Sequence, residues 1–326
     1  MSATRITPPP VLLSFAAAAV LYALLARPDP TMLVPLVGAL ALTGAVWRLL
    51  RTLNVPHAAR WAAVTLALPA TALNAGLLGR SDAMWAVPCL LALDAAIQRR
   101  HGMMMLWCGL GLMCGPQALL FAPFVVALLI SRRVPIATWL PGLAFTMAVL
   151  LLAPSSHDLG VLRWRPFLGT GHAWSLLTAV LPLDHAQVAG LAIVGTIGAI
   201  AWYVARLSAR PPISPVRLLP VALLATLVTT ALSTGGFVLA GVIAAAWAIS
   251  VQDRRAWRVA VLIQAASALS ITGDLTGQHT LGTVAFIAVA LATWLVVRPL
   301  AGPAANDNAP MAGAWRRGPL PPLPAM

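Results

Sequence analysis

Long apolar runs alternate with short polar breaks along the whole chain, and the alternation marks out twelve candidate membrane-spanning helices. They cover residues 11–26, 32–47, 61–78, 83–98, 102–114, 118–130, 135–152, 186–205, 217–234, 238–251, 259–272 and 280–297. Most breaks are short, which sets successive helices side by side as antiparallel hairpins. The exception is 153–185, too polar at its start to cross a bilayer and too rich in Trp, Leu and Phe to be a free linker. It is expected to lie over the outer mouth as an interfacial or re-entrant segment. A crossing helix takes about 20 residues, so twelve of them leave no room for a separate soluble domain. The expected fold is all-α: one polytopic integral membrane bundle of about twelve transmembrane helices over 1–300, then a Pro- and Ala-rich disordered cytoplasmic tail over 301–326. The first thirty residues hold a basic residue before an apolar core, as a signal peptide does. They run directly into further apolar segments and are read as an uncleaved first span.

The breaks are not equivalent. With the N-terminus placed in the cytoplasm, seventeen of the 21 basic residues fall in inner breaks and only Arg27, Arg80, Arg163 and Arg165 fall outside. Membrane insertion disfavours moving basic loops across the bilayer, so this asymmetry sets the orientation: a multi-pass inner-membrane protein with both termini cytoplasmic. The acids reverse the trend, since Asp29, Asp82, Asp158, Asp184 and Asp274 map outside, with His157, His172, His185 and His279. Side chains suited to chemistry therefore collect opposite the positive end.

Composition sharpens this. At 60% hydrophobic and 9% charged residues, with a mean hydropathy of +0.88, a soluble enzyme is excluded. The net charge of +13 would point to nucleic acid in a soluble protein. Here the arginines are spread singly or in pairs over loops, so membrane lipid headgroups are the expected partners and nucleic acid is not. Cys89, Cys108 and Cys114 match no metal or redox spacing and are read as small core hydrophobes; no metal and no cofactor are expected. Trp47, Trp61, Trp85, Trp139, Trp164, Trp174, Trp257 and Trp294 lie near span ends, as an anchoring belt at headgroup level would.

Three polar patches carry candidate chemistry. The stretch NAGLLGRSDAMW joins the third and fourth spans on the outer side. Its Arg80 can bind a phosphate and Asp82 can take a proton, or Asp82 simply caps the fourth helix. At the next outer hairpin CGPQALLFAP breaks at Pro116 and offers the Gln117 amide. In the long outer segment Arg163, Arg165 and His172 surround Trp164, and two arginines on the depleted side fit a lipid-linked phosphate or outer headgroups. Asp94 lies in an apolar run, costly for an acid, and is expected to snorkel toward the cytoplasmic interface near Arg99. There is no HExxH, GxSxG or phosphate-binding glycine loop.

Residues 48–131, and in them RLLRTLNVPHAARWAAVTLALPATALNAGLLGRSDAMW and LGLMCGPQALLFAP, resemble the middle of a GT-C membrane glycosyltransferase. Such mannosyltransferase-like enzymes use a polyprenyl-phosphate sugar. Their stretches run Asn-x-x-x-x-Gly-Gln-x-Asp, then a Lys-Pro-Gln-like turn before Leu-Leu-x-x-Pro. Arg80 replaces the family glutamine, Gly115 replaces the lysine, and the long acidic first outer loop shrinks to RPDPT, with Asp29 its sole acid. The resemblance implies sugar transfer from a polyprenyl-phosphate donor at the periplasmic face. Asp82 or Asp29 would be the catalytic carboxylate, and Arg80, Gln117, Arg163, Arg165 and His172 the substrate-binding set. A transporter or flippase, and a non-catalytic relative that has lost the first-loop base, are the alternatives.

Overall fold

The computed structural model describes residues 33–77, 82–152, 185–208, 215–230 and 237–301. Among them all regular structure is helical, with twelve α-helices. These are α1 (Leu33–Thr52), α2 (Ala58–Val64), the single turn α3 (Pro69–Thr71), α4 (Asp82–Ile97), α5 (His101–Cys114) and α6 (Ala122–Ser131). Then follow α7 (Ile136–Leu152), α8 (His185–Ser208), α9 (Leu218–Thr230), α10 (Phe237–Val251), α11 (Arg254–Thr276) and α12 (His279–Ala301). The helices coincide with the apolar runs within a few residues; α11 extends further at both ends. The expected first span (11–26), the outer segment 153–185 and the tail 301–326 lie outside the described residues, except that His185 opens α8 and Ala301 closes α12.

Among the described residues three stretches are long and apolar enough to cross a membrane alone: Val34–Thr52, Arg254–Gly273 and Thr280–Arg298. Six shorter apolar helices of 10–17 residues accompany them, each reaching about 15–25 Å. The expected third span departs most from its reading. It is not one helix: α2 passes into a 3-10 turn (Thr65–Ala67), an extended Leu68, the turn α3, and a π-helical stretch (Ala72–Leu77).

Side-chain contacts fix how the helices run. Gly38 meets Met84, Arg48 meets Asp94 at 2.8 Å, and Gln98 lies 3.4 Å from Thr52. The offset of 46 residues is constant, so α1 and α4 are parallel neighbours, one hairpin apart in sequence. Trp61 against Trp257, with ring centroids 6.1 Å apart, and Ala70 against Gln264 set the third segment parallel to α11. These registers, with alternating helix directions, gather all thirteen arginines of the described residues at one end of the bundle.

That end is closed by a repeated turn. After α1, α4 and α6 the chain places Asn54, Arg99 and Arg133 at φ 55°, 60° and 49°. In each case the next amide bonds five residues back: Val55 to Leu50 O (2.9 Å), Arg100 to Ala95 O (2.8 Å) and Val134 to Leu129 O (3.0 Å). This Schellman closure consumes carbonyls that a helix end leaves unbonded. Guanidiniums supply two more donors. Arg132 Nη1 donates to Ala96 O (2.8 Å) at the end of α4. Arg255 Nε donates to Leu295 O (2.9 Å), whose helical partner would be Pro299, which has no N–H.

The core sits around α10, buried from Val238 to Ile249, and around α4, buried from Ala83 to Ile97 apart from Met84, Val87 and Leu91. The outer helices turn apolar side chains outward instead: Val34, Val37 and Leu40 on α1, Leu140, Phe145 and Met147 on α7, and Ile287, Leu291 and Trp294 on α12. Whole helix faces of exposed aliphatic and aromatic residues are not a water-facing surface.

A non-glycine residue held at positive φ is strained, and Gln252 (φ 55°) is an exposed one without charge. Gln252→Gly is expected to raise stability by about 1 kcal/mol, read as a higher melting temperature in detergent. A lower one would mean that its side chain does more than turn the chain.

Candidate functional site

At the end of the bundle remote from the arginines, two residues of the motif-like stretch touch. Asn74 Nδ2 donates to Asp82 Oδ2 at 2.9 Å. Asn74 is buried, at 6% exposure, on the π-helical stretch, where the widened turn displaces side chains from their α-helical register. Asp82 is half-buried and is the first residue of α4. There its negative charge complements the positive end of the helix dipole. One turn on, Trp85 is buried and its indole Nε1 has no hydrogen-bond partner.

The second expected patch comes to the same layer. Gly115 ends α5, and Pro116 starts a 3-10 turn that carries Gln117. A methyl group on Gly115 would stand 2.6 Å from Gln117 Oε1 and 3.4 Å from Trp85 Cβ. The Gln117 amide and the Trp85 side chain thus flank one point, a turn from Asp82. The arrangement offers a carboxylate oriented by a neutral amide, with further amide and indole groups close by. This suits accepting a proton from a hydroxyl. The other expected site residues, Asp29, Arg80, Arg163, Arg165 and His172, lie outside the described residues. Among the described residues no three of His, Cys, Asp and Glu come together as metal ligands.

The expectation for Asp94 is corrected. It does not snorkel: it is fully buried, and its Oδ2 accepts from Arg48 Nε and from Gln98 Nε2, both at 2.8 Å. Its partner is not the nearby Arg99 but Arg48, brought in by α1. Oδ1 has no hydrogen-bond partner. The tryptophan belt is also only partly as expected. Trp47 and Trp294 are exposed and lie under Arg51 and Arg298, 5.6 Å and 5.3 Å from ring centroid to guanidinium carbon. Trp61 and Trp85 are core residues. Of the cysteines, Cys89 is buried and Cys114 exposed. At the arginine end, burial first and then the neighbouring Arg99 charge lower the pKa of Arg132.

Sequence reasoning missed the helix break and its partner. Ala70 N–H donates to Gln264 Oε1 at 3.1 Å across 194 residues. The only signal was Pro69 inside an apolar run, which breaks a helix by removing a donor; nothing local names Gln264.

No family model, no curated protein and no solved structure matches the chain.

The ion pair gives an asymmetric prediction. Arg48 is 48% exposed and can rehydrate alone, whereas Asp94 is fully buried and cannot. Arg48→Met should therefore cost about 3–5 kcal/mol, Asp94→Leu much less, and the double variant about as little as Asp94→Leu. Melting temperatures of the three in one detergent decide it. Equal losses for the two single variants would contradict this account.

Proposed function

We propose that the chain is a polytopic inner-membrane glycosyltransferase of the GT-C kind, moving a sugar from a polyprenyl-phosphate donor to an acceptor at the periplasmic face. The observation that carries the reading is the Asn74–Asp82 hydrogen bond: the ends of the Asn-x-x-x-x-Gly-x-x-Asp stretch meet, on the layer where Gln117 also lies. A transfer base needs a carboxylate held in one orientation, and Asn74 supplies that hold while leaving the charge in place. In this proposal Asp82 draws the proton from the acceptor hydroxyl in an inverting step, with Asp29 as the second candidate. Arg80, Arg163 and Arg165 stabilise the departing lipid phosphate, and Gln117 and His172 hold the sugar. The outward apolar faces support a bilayer around the bundle. The arginine-rich end supports a cytoplasmic assignment for that end and for both termini, with about twelve crossings in all. Crossings shorter than the usual length fit if they tilt little and the bilayer thins locally.

A transporter or flippase is the second reading, favoured by one observation: the discontinuous third segment, since broken helices commonly form transporter sites.

Asp82→Asn separates the roles of base and helix start. The amide keeps the shape, accepts from Asn74, and serves as well as Asp at a helix N-terminus. In membranes supplied with a radiolabelled polyprenyl-phosphate sugar, transfer should fall at least about 100-fold while expression and melting temperature hold. Transfer at the wild-type rate would remove Asp82 from the site. Reporter fusions after Arg100, Arg133 and Arg255 should all report cytoplasm; two periplasmic results would overturn the orientation.

A further inference from the structure

The break in the third segment takes the helical donors from two carbonyl oxygens. In a continuous helix the amides of Ala70 and Thr71 would bond the carbonyls of Leu66 and Ala67. Here Ala70 N–H goes to Gln264 Oε1 and Thr71 N–H to Leu68 O at 2.8 Å, so both carbonyls lose their helical donors. Just past the break, Thr71 (2% exposed) and Asn74 (6%) share one face, and on α11 Gln264 (9%) and Ser267 (1%) share another. Thr71 Oγ1, Asn74 Oδ1 and Ser267 Oγ all lack a hydrogen-bond partner. The parallel register fixed by Trp61–Trp257 and Ala70–Gln264 sets Ser267, one turn beyond Gln264, beside Thr71 and Asn74. Buried polar atoms left unpaired are costly, and several in one place call for a ligand.

The chemistry of the set narrows what that ligand is. Gln264 Nε2 also lacks a hydrogen-bond partner and lies 2.7 Å from where a methyl group on Gly241 of α10 would stand. The other unpaired atoms of the set, Thr71 Oγ1, Asn74 Oδ1 and Ser267 Oγ, are oxygens, and all of them are neutral. Carbonyls at the C-terminal end of a half-helix carry the negative end of its dipole, which favours a cation. A divalent ion would ask for carboxylates, whereas Asp82 sits on the Nδ2 end of the Asn74 amide and not on its Oδ1. Leu66 to Pro69 are only half-buried, so the break is not sealed.

We propose that the break binds an alkali-metal cation, sodium or potassium, through Thr71 Oγ1, Asn74 Oδ1, Ser267 Oγ and the carbonyls of Leu66 and Ala67. The bound charge would polarise the Asn74 amide and strengthen its N–H bond to Asp82, tying the site to the outer layer. The proposal does not rest on the glycosyltransferase reading, and its test measures no transfer.

The full-length protein in detergent is melted in choline, sodium and potassium chloride at equal ionic strength. The melting temperature should rise with sodium or potassium over choline, and once past half-saturation should climb with the logarithm of its concentration. Ser267→Ala and Thr71→Val should abolish that rise while leaving the melting temperature in choline unchanged or higher, because each removes an unpaired buried hydroxyl. If Thr71→Val fails to fold, Ser267→Ala decides alone. Equal melting temperatures in the three salts would overturn the proposal, as would a cation-dependent rise that persists in the folded variants.

Discussion

A bundle of this kind rests on one constraint: each backbone N–H and C=O must find its partner within the protein, because a surrounding bilayer offers none. Long apolar helices meet it along their lengths, and the difficulty moves to their ends and to prolines. The turns after α1, α4 and α6 meet it with left-handed residues and back-bonded amides. Pro299 would orphan the carbonyl of Leu295, and Arg255 reaches over from α11 to supply the donor. Pro69 would orphan more. Gln264 compensates only the amide side of that break, by accepting from Ala70. The carbonyl side stays open, and several unpaired polar atoms collect beside this irregular segment.

Charge is sorted along the same axis. At the arginine end, guanidiniums do structural work on carbonyls and lie over Trp47 and Trp294, beyond any role in orientation. Arg48 is different, since it pairs with a carboxylate that has no access to water. Buried pairs of this type add little net stability, because desolvation offsets attraction. What this one does add is register: a shift of one residue between α1 and α4 would separate Arg48 from Asp94 and leave a bare buried charge. Gln98 strengthens the lock by donating to the same oxygen, Oδ2.

What was legible in the sequence follows from the range of the interactions. Helix positions were legible, since apolar runs between short polar breaks are local signals, and the described elements fall on those runs. The sorting of arginines was legible for the same reason. Asp94 was misjudged because its partner lies 46 residues away, on a helix that only the three-dimensional arrangement sets alongside. Trp61 and Trp85 look like interface anchors by position along the chain, but position along a helix does not say which face turns inward. Of the candidate site, Asp82 and Gln117 were named from local motifs and do share a layer; Asn74, within the same motif, was named without its bond to Asp82. Gln264 had no local signal at all.

These threads meet in residues 65–77. A continuous helix there would have presented Thr71 and Asn74 in an ordinary register and left no amide for Gln264. Because Pro69 interrupts it and a π-helical stretch follows, the segment turns Asn74 so that one amide end holds Asp82 at the start of α4. Its other end stays among the unpaired oxygens of the bundle interior. A single side chain thus joins Asp82 at the start of α4 to the irregular backbone beneath it. Regular helices could give the bundle its stability, but only the departure from regularity gives it a polar interior that reaches one end.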